Sequence, residues 1–554
     1  MNTMPCLTRL SRRTLLAGAA GSAALLAAGP LSVTPRRVRA QEASGDPRPG
    51  GVYRLMGSGD VRGLDVGSAE GSEDWWSCGS LIFNRLYAYD QNAEFYPDLA
   101  AAPPSMSDDG LIYTIPLRQG VMFHNGREMV ADDVAFALAW QLWPDVYSWG
   151  KTYMENIVGY DEVMAGESQE LSGVTVIDPY TVEITLKRPQ AVFPSILTMT
   201  MNGISPKQET IDAGAEWGKS VVIGTGPFRF VEWQQGQQVI FERHAEYYKP
   251  GLPYLDRVEL ALNVEPSVQM LRWESGEADF VHNVPAAEVQ NVLTGEQFQA
   301  GLRRAPTAET TRLTMFTQAA PFDDLLVRQA TAMAIDKEFF ARSSGGTISP
   351  LEGIYVPLMT QFEASFQSDY PYDPEQARAL LTEAGYGEGI QGVSIFGSGD
   401  TESQVVGFQA DLAAIGIEAE VIMGQYQDWS ERISAGEVQM VLRSWSASFP
   451  DAYDFVSGWM TCASIDATGY NFGLYCNERI DELVALAESL PQTDPERIAA
   501  YREIEELAVN TDAAMIGLGN SNDVALSQEH MRNDPIDGLM GGWPFLESAW
   551  IAQE

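Results

Sequence analysis

The sequence is poor in the residues that most metal and thiol chemistry needs. Only four His and four Cys occur among 554 residues. The four His (His124, His244, His282 and His530) lie far apart. There is no His-x-x-x-His pair, no Cys pair at zinc spacing and no Gly-x-Ser-x-Gly elbow, so metal-dependent and serine hydrolases find no motif here. Positive charge is also scarce: 35 Lys and Arg stand against 76 Asp and Glu, a formal net charge of -41. Such a surface repels phosphate backbones and anionic lipid, which excludes nucleic acid as a partner. With so many acids, carboxylate pairs carry no specificity, and a secreted acid/base hydrolase has nothing else in its favour. The apolar run from Leu15 to Ala28 is too short to span a bilayer, and no later segment is long and apolar enough. Internal repeats and low-complexity linkers are missing too.

What is present describes an exported globular protein. A hydrophobic content of 45% and an aromatic content of 10% support two or three domains with real cores. Residues 1–40 carry six Arg and no acid. Within them Ser11-Arg12-Arg13-Thr14-Leu15-Leu16 resembles the twin-arginine export motif, and Val38-Arg39-Ala40 is a small-residue cleavage pattern. The expectation is a signal peptide over 1–40, export by the twin-arginine route, and a mature protein that is periplasmic or otherwise extracytoplasmic. Cys6 precedes the arginines and cannot take a lipid. Of the remaining Cys, Cys462 and Cys476 are able to close a short loop in an oxidising compartment, or to stay reduced; Cys78 reads as a small buried apolar residue.

The most informative stretch runs from Ser105 to Trp140. Asp109-Gly110 and Asn125-Gly126 are two-residue turn signals. Between them Ile112, Thr114, Leu117, Val121 and Phe123 favour strands. Pro116 cannot donate to a ladder, so the strand that holds it is expected at a sheet edge or with a bulge. Asp132 and Asp133 suit a helix amino end, followed by a stripe of Val134, Phe136, Leu138 and Trp140. The pattern Asp109-Gly110, Tyr113, Leu117-Arg118, Gly120-Val121, Phe123-His124, Gly126, Ala131, Asp133-Val134 resembles the signature of the family 5 extracellular solute-binding proteins, the binding components of peptide/nickel-type ABC importers. The usual Thr before the Ala is Val130 here, which removes a side-chain cap worth about 1 kcal/mol. His124, with no partner ligands nearby in sequence, reads as structural.

The resemblance continues along the chain. Val174–Leu186 reads as a hairpin, Gly224-Thr225-Gly226-Pro227-Phe228 matches a family turn, and Thr311–Thr317 is a strand at a crossover between lobes. Asp323–Arg342 reads as one helix, Asp373-Pro374 starts another that Gly385 ends, and further helices start at Asn477 and Asp494. The implied fold is α/β: a two-lobed periplasmic-binding-protein type II fold with an additional inserted domain. Lobe 1 is expected over 41–91, 221–308 and 525–554, the inserted domain over 92–220, and lobe 2 over 309–524.

The resemblance also implies a ligand held between the lobes, hinge closure around it and delivery to the permease subunits of an ABC importer. The ligand is expected to be an oligopeptide or similar small polar solute, or alternatively an oligosaccharide. No cofactor, metal or enzymatic activity is implied, and a monomer is expected. The candidate site is Arg443-Ser444-Trp445-Ser446-Ala447-Ser448-Phe449-Pro450-Asp451, which resembles the family's cleft segment W-x-x-D-Y-x-D-P. The family's ammonium-binding Asp is Ser448 here, which forfeits a charge-assisted bond of about 1.5–3 kcal/mol. Asp451 takes over that charge only if the loop shifts. Trp445 and Trp429 match cleft tryptophans and offer flat faces to peptide planes or sugar rings. Trp75 and Trp76, adjacent at a helix start, point to different faces, so one packs and the other faces the cleft. Ser446 completes the set.

Overall fold

The computed structural model describes residues 46–552 apart from 69–72, 283, 399–400, 425–431, 433–434, 468–469 and 540; the side chains of 73–77 and 466–467 are also not described. Three sheets carry the α/β architecture. In the first, strands Val52–Met56, Arg257–Ala261, Gln238–Arg243 and Phe228–Gln234 lie side by side in that order, the first pair parallel and the others antiparallel. Its core includes Tyr53, Phe228, Phe241 and Leu260, joined from far along the chain by Met531, Trp543 and Leu546.

The second sheet orders Ser105–Met106, Ile112–Pro116, Thr181–Thr185 and Val174–Asp178, all antiparallel. Helix Ala131–Trp140 belongs to its core, which also takes in Phe449. The strand ending in Pro116 is therefore interior, not at an edge. Pro116 is its last residue and pairs with Thr181, while Ser105–Met106 reaches only Thr114 and Tyr113. Leu117 N donates to Tyr180 O on the Thr181 side, so by alternation the missing N–H of Pro116 faces the other side, beyond the pairing of Ser105–Met106, where Ala101 N donates to Pro116 O. Val130 provides no side-chain cap to the helix, but Asp133 accepts from Val130 N at 3.0 Å and pairs with Arg127 at 2.7 Å. His124 is structural: its Nδ1 accepts from Gly224 N and its Nε2 donates to Gly226 O. Burial and the neighbouring His244 push its pKa down to about 3, so it is neutral at any ordinary pH.

The third sheet has seven strands. Six run in the order Phe280–Val281, Met515–Ser527, Leu302–Met315, Met440–Ser446, Ile390–Ser398 and Ile417–Gly424, and Ile348–Pro350 also pairs with Met515–Ser527. Helices Leu325–Ala334, Pro374–Glu383 and Glu402–Ala414 share its core. A second cluster is built from helices Tyr453–Trp459, Glu478–Glu488 and Pro495–Glu506. The single helix expected over Asp323–Arg342 is two, Leu325–Ala334 and Lys337–Ser343. Asp336 breaks it: its side chain accepts from Phe339 N at 2.8 Å and caps the second helix, a conformation that competes with continuing the first. The helix holding Trp75 and Trp76 ends at Ile82, and Tyr87 starts the strand Tyr87–Tyr89.

Cys462 and Cys476 are disulfide-bonded, and Cys78 is buried outside any disulfide. With a sequence separation of 14, the chain-entropy model assigns the bond about 3 kcal/mol. The double variant Cys462→Ser/Cys476→Ser is expected to lose roughly that much unfolding free energy in denaturant titration, and reductant should leave the variant unaffected.

Candidate functional site

A cavity of about 750 Å³ opens where the three sheets' cores approach one another. Its floor comes from strand Met440–Ser446 and the loop that follows, its walls from Trp149, Tyr153, Gln190 and Thr198–Thr200 on one side and from Arg85, His282, Asp537 and Trp543 on another. Aromatic rings supply much of the surface: Tyr89, Trp149, Tyr153, Trp445, Tyr453, Tyr470 and Trp543. The Trp445 ring stands edge-on to Tyr470 at 4.7 Å and to Trp459 at 5.5 Å, while His282 stacks on Trp543 at 4.4 Å.

The polar centre of the cavity is Asp454, in the first turn of helix Tyr453–Trp459. Its Oδ1 accepts from the Tyr153 hydroxyl at 2.7 Å, and its Oδ2 accepts from Trp445 Nε1 and Ser448 N, each at 3.1 Å. The Tyr153 hydroxyl also lies 3.1 Å from Ser448 Oγ. Burial pushes the Asp454 carboxyl up to about 6, against the three hydrogen bonds that favour its charge. Further hydrogen bonds join residues 190–195 to residues 453–492: Gln190 Nε2 to Tyr453 Oη at 3.2 Å, Val192 N to Glu488 Oε2 at 3.3 Å and Gln492 Nε2 to Ser195 Oγ at 2.7 Å. Among the described residues no group of three or more His, Cys, Asp or Glu is placed to hold a metal ion.

The family of bacterial extracellular solute-binding proteins, family 5 Middle, matches residues 94–467. The chain belongs to this family. A di/tripeptide-binding protein 2 of Pseudomonas aeruginosa is 30% identical over 443 residues, 76% of this chain and 81% of that protein. A glutathione-binding protein GsiB of Salmonella paratyphi A is 31% identical over 440 residues, 77% and 81% of the two chains. Among solved structures, a DppA periplasmic binding protein of Helicobacter pylori in complex with the peptide STSA superposes with a TM-score of 0.71 at 24% identity, over 91% of this chain and 99% of that one. The fold is thus the two-lobed type II binding-protein fold with its inserted domain, and the chain is the solute-binding component of an ABC importer. The family consists of binding proteins, not enzymes. Among the described residues no helix is long and apolar enough to cross a membrane.

For this family 5 protein, Trp445, Ser446 and Ser448 all line the cavity. Asp451 does not. It is 1% exposed, and Arg497 binds it through both terminal nitrogens at 2.8 and 3.0 Å, with Gln361 Nε2 donating to it at 3.0 Å. Its charge is spent inside the lobe, so it offers nothing to a ligand. Trp429 lies outside the described residues; Trp75 and Trp76 lie on helix Glu73–Ile82 with their side chains outside them. The residues that local pattern did not single out are Asp454, Tyr153, Arg85, His282 and Trp543. Asp454 had one signal: an acid in the first turn of a helix, nine positions after the cleft Trp. It restores a carboxylate beside the Ser448 backbone, where the family's own Asp is missing.

Arg497 also binds Glu488 at 3.0 Å, so one guanidinium serves two buried carboxylates. Arg497→Met is expected to destabilise the protein by about 3–5 kcal/mol, and by less in acid, where Glu488, already pushed up by burial, takes a proton. Denaturant unfolding at pH 5 and 8 reads both effects. Asp454 gives a second pH signature. Its carboxyl is raised in the folded state, so its contribution to stability is fully present below the ordinary value of 3.8 and is lost as pH rises through about 6. The wild-type unfolding midpoint should fall across that window. Asp454→Asn should flatten that component, leaving the part due to Glu505, which burial raises to about 7.

Proposed function

We propose that this protein captures a short peptide or similar small polar solute in the cavity and delivers it to the permease subunits of its importer. The observation that carries this is the cavity itself. Its size suits a ligand of a few residues, and hydrogen bonds from Tyr153 to Asp454 and from Gln190 to Tyr453 cross it, as closure around a solute requires. A di/tripeptide-binding and a glutathione-binding relative support the peptide class. The aromatic faces of Trp445, Tyr470 and Trp543 bracket peptide planes. Asp454 has three of about four lone-pair sites occupied, and the remaining one suits a solute N–H, beside the hydroxyls of Ser448 and Tyr153.

The same proposal takes lobe 1 as 41–91, 221–308 and 525–554, the inserted domain as 92–220 and lobe 2 as 309–524. The packing of Ala525, Met531 and Trp543 into the core of the first sheet supports that division. Export by the twin-arginine route after cleavage near Gln41, a periplasmic or extracytoplasmic location, a monomeric state and the lack of catalysis belong to it as well. Residues 1–45 lie outside the described ones.

Thermal-shift assays of the chain from Gln41 onward should show midpoints raised by di-, tri- or tetrapeptides and unmoved by oligosaccharides. The reverse pattern would overturn the peptide class, and turnover of a bound peptide, seen by mass spectrometry, would overturn the non-catalytic reading. Trp445→Ala is expected to weaken binding of the peptide so identified by roughly tenfold or more; unchanged affinity would remove Trp445 from the site.

A further inference from the structure

Phe449 sits in the loop after strand Met440–Ser446, yet it packs away from its own sheet. It is 0% exposed and belongs to the core of the second sheet, with Tyr113, Val182, Phe193 and Leu197. Among the described residues every other buried member of that core falls between Leu86 and Ile204. The Phe449 ring meets Tyr153 edge-on, their centroids 6.0 Å apart. Tyr453 packs against the same core and against the helical cluster of Glu478–Glu488 and Pro495–Glu506. A large apolar side chain from one part of the fold is thus seated in another. Drawing it out would return both surfaces to water, which apolar groups resist.

Polar groups are joined across the same seam. Ala191 N donates to Glu488 O at 3.2 Å, and Val192 N donates to Glu488 Oε2 at 3.3 Å. Glu488 is itself buried, its Oε1 accepting from Arg497 Nη2 at 3.0 Å and from Tyr501 Oη at 2.8 Å. Those two bonds fix the carboxylate from within its own helical cluster, so Oε2 meets Val192 in a set position. Gln492 Nε2 donates to Ser195 Oγ at 2.7 Å, and Tyr89 Oη lies 2.8 Å from the same oxygen. Phe449, Ala191, Val192, Ser195, Glu488 and Gln492 all stand outside the cavity lining. This part of the seam is held by the chain alone and asks nothing of a solute.

We propose that Phe449, Glu488 and Gln492 are positioning residues that latch the inserted domain to lobe 2, so that the protein rests closed without solute and capture waits on opening. This rests on the division into inserted domain and lobe 2 given above, and not on the identity of the solute. A solute shifts an equilibrium only by its differential affinity for the two forms. Where the closed form already dominates, the fraction able to admit solute is small, and association slows by that fraction. Loosening the latch then raises association and dissociation together and leaves affinity nearly unchanged. Were the resting form open, loosening would raise dissociation alone and weaken binding.

Hydrogen exchange at the amides of Ala191 and Val192 reads the latch without any solute, because both donate to Glu488 across the seam. The protein used is the chain from Gln41 onward, stripped of carried-over solute by unfolding and refolding. In the wild type these two amides should exchange at least tenfold slower than unprotected ones. Gln492→Ala should speed their exchange severalfold and Phe449→Ala tenfold or more, while Phe449→Leu, which keeps an apolar plug, stays near the wild type. Phe449→Ala should also raise the radius of gyration in small-angle scattering, which local fraying would not. Should Phe449→Ala fail to fold, Gln492→Ala and Phe449→Leu carry the comparison. Unprotected amides in the solute-free wild type, or protection unchanged in both Ala variants, overturns the latch. Thermal-shift responses to di- and tripeptides separate this proposal from the peptide reading. A peptide response with amides that are protected only in its presence sinks the latch and leaves the peptide reading standing; amides protected without solute and no peptide response do the opposite.

Discussion

Two long strands, Leu302–Met315 and Met515–Ser527, pair antiparallel along most of their length, and everything near the cavity depends on that ladder. At one end Leu302 opposes Leu526, whose neighbours Val524 and Ala525 pack into the cores beside the first sheet. At the other end Leu313 opposes Ile516, inside the core of the large sheet. The ladder is interrupted between Pro306 and Thr310 and shifts again between Thr311 and Arg312. Backbone pairing is stiff along the strands and weakest where the register breaks. Any relative motion of the two ends therefore concentrates at those interruptions. Gly517, opposite Arg312, allows the chain of Gly353 to come close, because a Cβ there would collide with the Gly353 carbonyl.

The same register sets the chemistry of the floor. Strand Met440–Ser446 joins the ladder with Trp445 across from Thr310 and Arg443 across from Arg312. A slip of one residue would turn every one of these side chains into the opposite core, where Leu313, Met315, Met440 and Leu442 now sit. The loop after that strand is then held by polar groups that the fold hides. Arg497 fixes Asp451 from below, and Asp454 gathers Trp445, Ser448 and Tyr153 from above. The first arrangement is complete and internal. The second is built on a carboxylate that burial has pushed toward neutrality, in a cavity with room for a solute.

Much of the fold was legible because its signals are local. Asp373, Asn477 and Asp494 cap the helices that follow them, and Gly110 and Gly126 adopt the positive φ that their turns need. Pro116 suggested an edge strand, yet it sits inside the sheet, because its only exposed deficiency falls where the neighbouring strand has already ended. Asp336 breaks a helix that the apolar pattern ran through, since a cap and an interior residue look alike until the chain direction is known.

The site divides along the same line. Trp445, Ser446 and Ser448 were named from a motif that local residue order specifies, and that order also determined the family, the acidity and the spacing of Cys462 and Cys476. Asp451 belonged to the same motif, but only packing shows that Arg497 consumes its charge. The partnership of Asp454 with Tyr153, 301 positions apart, and that of Glu488 with Val192 depend on which parts of the chain lie together. A carboxylate or guanidinium in a sequence carries a charge but no address. Burial, a neighbour's hydrogen bond and the register of a sheet decide whether that charge is spent within the protein or kept for a ligand, and those are properties of the folded chain alone.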